Sequence, residues 1–317
     1  MIRADKSPKF LSIKFLLNYH RILLMDKIRL DAYYNAIQNE IKGGEIVADL
    51  GSGSGILTFF ALKAGALKVY SIEESEFLMK LAHRISKRNN LNSKIKFINK
   101  NSLLVNSNDV NEKVDLIITE IMGSFGLEEN ILNYIINFRD KFLKKNGQII
   151  PNKLIICIVP YESEMLYNQC FKFHKWLYDQ YNLDFEDFII QTKNFAFVPD
   201  DYQSKLTEKN LLIKPIEFKT IDLLKTNENY FSEKIIIDFN NLKNERTIHG
   251  FCGFFKAILS EYPNKIILSN SPILPDTSFG QLYFPLFKPI KISNGDLLEL
   301  NLKFNKPGTW TIECKKY

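Results

Sequence analysis

Two glutamates, Glu120 and Glu129, stand nine residues apart in the loop Thr119-Glu120-Ile121-Met122-Gly123-Ser124-Phe125-Gly126-Leu127-Glu128-Glu129. The apolar run Val114–Thr119 leads straight into this loop and reads as a buried strand. Both carboxylates therefore fall at the C-terminal edge of a sheet, where ligands bind in open α/β folds. A second chemical element lies upstream, in Val47-Ala48-Asp49-Leu50-Gly51-Ser52-Gly53-Ser54-Gly55. Glycines in such a turn let the backbone come close to a ligand that any side chain would keep away. Glu73 closes the next apolar run, where a carboxylate can accept both hydrogen bonds of a ribose diol. Loop and acid together suit a nucleotide-like ligand. The plainer alternatives are a solvated acidic loop, an ordinary tight turn, and a Glu73 charge favoured by a helix dipole.

The elements that must position these groups follow from hydrophobic periodicity. Residues 8–41 carry apolar positions at helical spacing and predict one or two helices. From Glu45 the pattern alternates: strand Glu45–Leu50, helix Ile56–Ala64 ended by Gly65, strand Lys68–Ile72, helix Glu76–Asn89, then strands Ile95–Ile98 and Val114–Thr119. Such alternation predicts a Rossmann-like, doubly wound α/β fold with a parallel sheet covered on both faces. After Pro151 come short β-rich runs, Leu154–Val159, Lys234–Phe239, Lys265–Leu268 and Leu297–Phe304, separated by Pro, Asn and Gly. These predict an antiparallel β-barrel or sandwich, interrupted by an aromatic-rich helical insert over Tyr161–Tyr181. The resulting division is N-terminal helices over 1–44, a ligand-binding domain over 45–150, and a β-barrel domain over 151–317 with a helical arm at about 161–188.

Composition removes several function classes. Over 317 residues the net charge is only +6, without the dense basic clusters of a nucleic-acid binder, so no nucleic-acid partner is expected. Cys157, Cys170, Cys252 and Cys314 show no CxxC or Cys/His spacing, which argues against structural zinc, any metal site and a disulfide framework. The apolar stretch Phe10–Leu24 is broken by Lys14, Asn18, His20 and Arg21 and is too short to span a bilayer, so no membrane association is expected. A cytoplasmic protein is the expectation.

The glycine loop lacks the third glycine of the dinucleotide fingerprint, since Ile56 follows Gly55, and instead resembles the loop of class I S-adenosylmethionine-dependent methyltransferases. With the spacing of Glu120 and Glu129, nearly the whole chain resembles the protein arginine methyltransferases. His20-x-x-Leu23-Leu24-x-Asp26-x-x-Arg29 is similar to that family's N-terminal helix, and Lys113–Glu120 to the strand before its double-Glu loop. Gly147-x-x-x-Pro151 resembles the switch into the barrel, and Trp176 with Tyr181-Asn182-Leu183-Asp184 resembles the dimerisation arm. The resemblance implies S-adenosyl-L-methionine as cofactor and a homodimer. It implies cofactor contacts from His20, Arg29, Asp49, Gly51, Gly53, Gly55, Glu73, Glu74, Asn101 and Ser102, with Arg29 pairing the cofactor's carboxylate. Glu120 and Glu129 are the implied catalytic pair, and Thr277, Ser278 and Phe279 stand where the family has its Thr-His-Trp substrate loop.

The chemistry explains the residue types. A guanidinium is protonated at neutral pH and its lone pairs are delocalised, so it is a poor nucleophile. Two carboxylates can clamp it through charge-assisted, bidentate hydrogen bonds, orient one nitrogen and draw positive charge towards the others. The sequence also departs from the family: Ser278 replaces the loop histidine, Phe279 the tryptophan, Ile121 an aromatic residue and Ser124 a tyrosine, while Phe10 and Lys14 occupy the positions of a cofactor lid. Gly123-Ser124-Phe125 and Ser278 resemble the symmetric-dimethylating branch, with monomethyl-arginine expected as the main product. The expected acceptor is arginine in a protein or peptide. The altered aromatic wall keeps free arginine or a guanidino metabolite as the alternative, and a catalytically silent scaffold as a further one.

Overall fold

The computed structural model describes residues 8–192, 196, 199, 206–305 and 308–317. Five strands, β1 (Ile46–Leu50), β2 (Lys68–Ile72), β3 (Ile95–Ile98), β4 (Val114–Thr119) and β5 (Leu143–Ile150), form a wholly parallel sheet in the order β3-β2-β1-β4-β5. β1, β2 and β4 are almost wholly buried because helices cover both faces, whereas the edge strand β5 opens on exposed Lys144, Lys145 and Asn146. The connecting helices are α3 (Ile56–Ala64), α4 (Glu76–Arg88) and α5 (Ile131–Phe142). Right-handed crossovers place α3 and α4 on one face and α5 on the other, because the chain changes direction at β1. That reversal opens a crevice beyond the C-terminal ends of β1 and β4. Leu50 pairs with Thr119, so the glycine loop and the double-Glu loop leave the sheet side by side.

Two N-terminal helices, α1 (Pro8–Met25) and α2 (Lys27–Glu40), meet at Asp26. Its carboxylate accepts the Arg29 N–H at 2.9 Å and so caps α2. Buried Tyr33 then ties α2 to the site, its hydroxyl donating to the Thr119 carbonyl at 2.9 Å. Side chains before residue 13, the lid position Phe10 included, lie outside the described residues.

The remaining strands are antiparallel: β6 (Lys153–Tyr161), β7 (Ile216–Asp222), β8 (Phe231–Asp238), β9 (Arg246–Ser260), β10 (Ile266–Ser269), β11 (Leu282–Ile292), β12 (Leu297–Asn305) and β13 (Thr309–Lys316). One sheet runs β10-β9-β6-β7 with β11 also on β9, and a second runs β13-β12-β8. Among the described residues no strand pairing closes the two into one barrel. The larger of two apolar cores runs from Ile149 and Ile150 through Leu154 and Ile156 to Phe255 and Trp310, joining both halves of the molecule, while a smaller one gathers Cys157, Tyr161, Phe254 and Tyr283. No helix among the described residues is long and apolar enough to cross a membrane.

The insert differs from the single helix that periodicity predicts. It is α6 (Glu164–Phe171), α7 (Phe173–Tyr181) and α8 (Glu186–Thr192). Leu166 and Phe171, which read as surface apolar residues, are buried against this chain's own sheet, Phe171 meeting the Phe287 ring at 5.7 Å. Trp176, Tyr178 and Tyr181 remain more than half exposed.

Candidate active site

Gly51, Gly53 and Gly55 all adopt positive φ as the chain leaves β1. At Gly53 (φ +53°) an added Cβ would lie 2.7 Å from the His20 ring, so α1 already rests on the loop and only glycine fits beneath it. Burial, with Arg29 close by, lowers the His20 pKa. On the other flank, an added Cβ at Gly51 would lie 2.8 Å from Ile121 of the double-Glu loop. The glycine loop is thus held between the N-terminal helix and the double-Glu loop.

Glu73 closes this loop from β2. Its carboxylate accepts the Gly53 N–H at 2.9 Å and the Ser75 N–H at 2.7 Å, and burial raises its pKa although both bonds favour the ionised form. Asp49, on β1, is fully enclosed and pushed up to about 7 by burial, an effect its bond from the Thr58 hydroxyl at 2.7 Å only partly offsets. Its other oxygen, Oδ1, is buried with no partner among the described residues.

Between β2 and the acceptor loop lies a cavity of about 260 Å³. Its lining brings together Gly51, Glu73, Glu74, Asn101, Ser102 and Glu129, with Lys100, Ile121 and Tyr134 completing it. Asn101 donates to Glu74 at 2.9 Å and to the Tyr134 hydroxyl at 3.4 Å, so one wall is a polar network spanning three elements. His20, Arg29, Asp49, Gly53, Gly55 and Glu120 are not part of this lining.

Arg29 and Glu120 are bonded to each other: Nη1 lies 2.9 Å from Oε2, and both side chains are largely buried. Nη2 donates to the Leu23 carbonyl at 2.9 Å, while Nε is buried without a partner among the described residues. Glu120 is pushed up to about 7 by burial, with Arg29 opposing and Glu129 reinforcing the shift. Glu129 stands at the rim, its residue surface exposed, yet surrounding protein still raises its pKa. Tyr19 of α1 feels both carboxylates, and burial with their charge pushes it up to about 12.

Thr277, Ser278 and Phe279 lie between β10 and β11. The Ser278 N–H donates to Asp26 at 2.5 Å, docking this loop on the junction of α1 and α2. The Thr277 and Ser278 hydroxyls are buried without partners among the described residues, and Phe279 turns inward onto Phe255 at 5.1 Å. Sequence reasoning passed over Asp26, Lys100, Tyr134 and Glu128. Asp26 carried a signal, as a capping residue three positions before Arg29. Lys100 and Tyr134 reach the cavity only through strand order, which no local pattern encodes.

A family profile described as Ribosomal protein L11 methyltransferase (PrmA) matches residues 32–156, the segment of the parallel sheet. Protein arginine N-methyltransferase PRMT10 of Arabidopsis thaliana is 30% identical over 96% of this chain and 84% of its own length. The chain belongs to the protein arginine N-methyltransferase family. Protein arginine N-methyltransferase 6 of Danio rerio is another relative, 28% identical over 83% of this chain and 74% of its own. Among solved structures, Arabidopsis thaliana protein arginine methyltransferase 10 matches with a TM-score of 0.76 and 25% identity, covering 95% of this chain and 99% of that one. The Trypanosoma brucei PRMT1 enzyme-prozyme complex, solved with AdoHcy, matches in fold with a TM-score of 0.78 at 22% identity over 94% of this chain and 96% of that one. As in other members of the family, the parallel sheet and the antiparallel domain follow one another along the chain.

Proposed function

We propose that this enzyme transfers a methyl group from S-adenosyl-L-methionine to a guanidino nitrogen of arginine in a protein or peptide. The observation that carries the reading is that Glu120 already binds a guanidinium, that of Arg29, one residue beyond β4 and beside the glycine loop. A carboxylate placed to take one guanidinium is suited to take another in exchange. Glu129, at the rim of the adjoining cavity, supplies the second oxygen pair. Together they neutralise the acceptor's charge, fix its plane and point one nitrogen towards the crevice. Orientation of this kind supplies much of the rate in a direct displacement.

The residues present fit the cofactor. Its amino-acid tail carries a carboxylate and an ammonium, and beside the glycine loop stand a buried donor, Arg29 Nε, and a buried acceptor, Asp49 Oδ1, each without a partner among the described residues. Glu73 and the Glu74–Asn101–Tyr134 wall offer acceptors and donors to a ribose and a base. When bound, S-adenosylmethionine supplies a methyl group on a positively charged sulfur. Supporting the reading further, the Trypanosoma brucei relative holds AdoHcy.

The same reading includes a homodimer formed through the arm, whose Trp176, Tyr178 and Tyr181 project from α7. It also includes monomethyl-arginine as the main product, because Ser278 leaves a small neutral hydroxyl where the family has histidine. The test is incubation with labelled S-adenosylmethionine and three acceptors: an Arg/Gly peptide, a cell extract and free arginine. Label in peptide or extract protein, carried on monomethyl-arginine by mass spectrometry, is the expected result. Label in free arginine alone refutes the protein acceptor, and neutral loss of dimethylamine refutes the product.

A further inference from the structure

Glu129 makes no hydrogen bond or ion pair among the described residues, so its place beside the cavity is set by the backbone that carries it. Its neighbour Glu128 is held firmly. One oxygen of Glu128 accepts the Phe125 N–H at 3.0 Å, and the other accepts the indole N–H of Trp310 at 3.0 Å. The first bond closes the loop on itself. The second fastens it to β13, 182 residues further along the chain.

The surroundings are shaped to this contact. Gly123 (φ +71°) lies under the Glu128 carboxylate, so closely that a Cβ there would overlap Oε2. A Cβ at Gly308, in the turn before β13, would lie 2.8 Å from the Glu128 carbonyl oxygen. Trp310 is itself fixed, buried against Phe125 at 4.5 Å and Phe304 at 4.9 Å. A second fastening holds the middle of the loop: buried Asn270 donates to the Ser124 carbonyl at 2.7 Å and to the Gly280 carbonyl at 2.6 Å.

We propose that Glu128 is a positioning residue that, through Trp310, sets where Glu129 meets the acceptor guanidinium; this rests on the reading of Glu120 and Glu129 as the acceptor carboxylates. Only a carboxylate satisfies the site, because both bonds arrive from donors and two acceptor oxygens are required. Burial pushes Glu128 up to about 7, although its bonds from the Phe125 N–H and the Trp310 indole favour the ionised form. A hydrophobic contact would pack as well but would leave the rotation of the loop free. The paired N–H bonds fix it.

The test compares Glu128→Gln, Trp310→Phe and the double variant. Glutamine offers one oxygen to two donors, and phenylalanine keeps an aromatic ring while removing the N–H. Amide hydrogen exchange is expected to quicken about tenfold or more over residues 121–129 in both single variants, with β4 unchanged. Turnover of the Arg/Gly peptide is expected to fall about 10- to 100-fold in kcat, with the S-adenosylhomocysteine Kd within about twofold of wild type. The double variant is expected to be no worse than Glu128→Gln, since both changes break one link. If Glu128→Gln does not fold, Trp310→Phe alone decides by the same measurements. Unchanged loop exchange and kcat in the folded variants overturn the proposal while Glu129→Gln remains inactive. If Glu129→Gln also keeps its turnover, the acceptor-site reading falls with it.

Discussion

The Arg29 guanidinium donates to the Glu120 carboxylate across 2.9 Å, so the residue assigned to the cofactor and a residue assigned to the acceptor hold each other in place. Among the described residues Glu129 has no such tie. Glu129→Gln is therefore expected to lose about 10²-fold or more in turnover while cofactor affinity and stability stay near wild type. Glu120→Gln is expected to lose activity to the same degree with little loss of stability, because burial already favours the neutral form at this position and an amide oxygen can still accept from Arg29. Single-turnover rates, calorimetric titration and urea unfolding measure the three quantities. Near-normal turnover in either variant removes the double-Glu assignment.

Gly53 and Glu73 set the shape of the cofactor loop together, through the 2.9 Å bond from the Gly53 N–H to the Glu73 carboxylate. Valine at 53 would drive into His20 and would also have to adopt positive φ. Gly53→Val is expected to abolish S-adenosylmethionine binding. Glu73→Ala strands a buried N–H, a loss of about 1–3 kcal/mol, and is expected to weaken binding at least tenfold. Calorimetry showing wild-type affinity in both variants places the cofactor elsewhere.

Asp49, Glu120 and Glu128 are each pushed up to about 7 by burial, whereas unfolded carboxyls titrate at about 4. Between those values the folded protein holds more protons than the unfolded chain, so stability declines as pH rises from about 4 to 7. His20 and His249, lowered by burial, oppose this below about pH 6.5 and by smaller shifts. Glu299, drawn down to about 2 by its bond from Lys234, acts in a more acidic window and leaves the trend intact. The cofactor-free protein is expected to melt at a lower temperature near about pH 7.5 than near about pH 5, with a shallower dependence in Asp49→Asn. A melting temperature that rises across this range contradicts the assignment.

The rings of Trp176 and Tyr181 meet at 5.5 Å on α7, and with Tyr178 on the same helix they are more than half exposed, without cover among the described residues. Clusters of this kind mark association sites more often than they remain in water. Sedimentation at micromolar concentration is expected to show a dimer, and Trp176→Glu with Tyr181→Glu to convert it to monomer. A wild-type protein of monomer mass at that concentration disproves the assembly.

Much of the site was legible in the chain itself. Glycine at 51, 53 and 55, an acid ending β2, and two carboxylates after β4 are local signals, because close backbone approach and strand termini leave marks on neighbouring residues. The parallel strands were legible for a related reason: burial on both faces writes a mostly apolar run into each of β1, β2 and β4. The edge strand β5 was not, since its Lys-Lys-Asn-Gly segment answers to solvent rather than to a core. Nor could periodicity separate the apolar faces of the insert, because Leu166 and Phe171 differ from Trp176 only in what lies opposite them. The pairings of Arg29 with Glu120, Ser278 with Asp26, and Glu128 with Trp310 belong wholly to the tertiary structure. Each joins residues on separate elements, by bonds whose partners are chosen by how the sheets pack. The sequence alone determined which chemical groups reach the crevice; the packing of α1, α2 and β13 around it decided which of them hold one another and which stand free for a ligand.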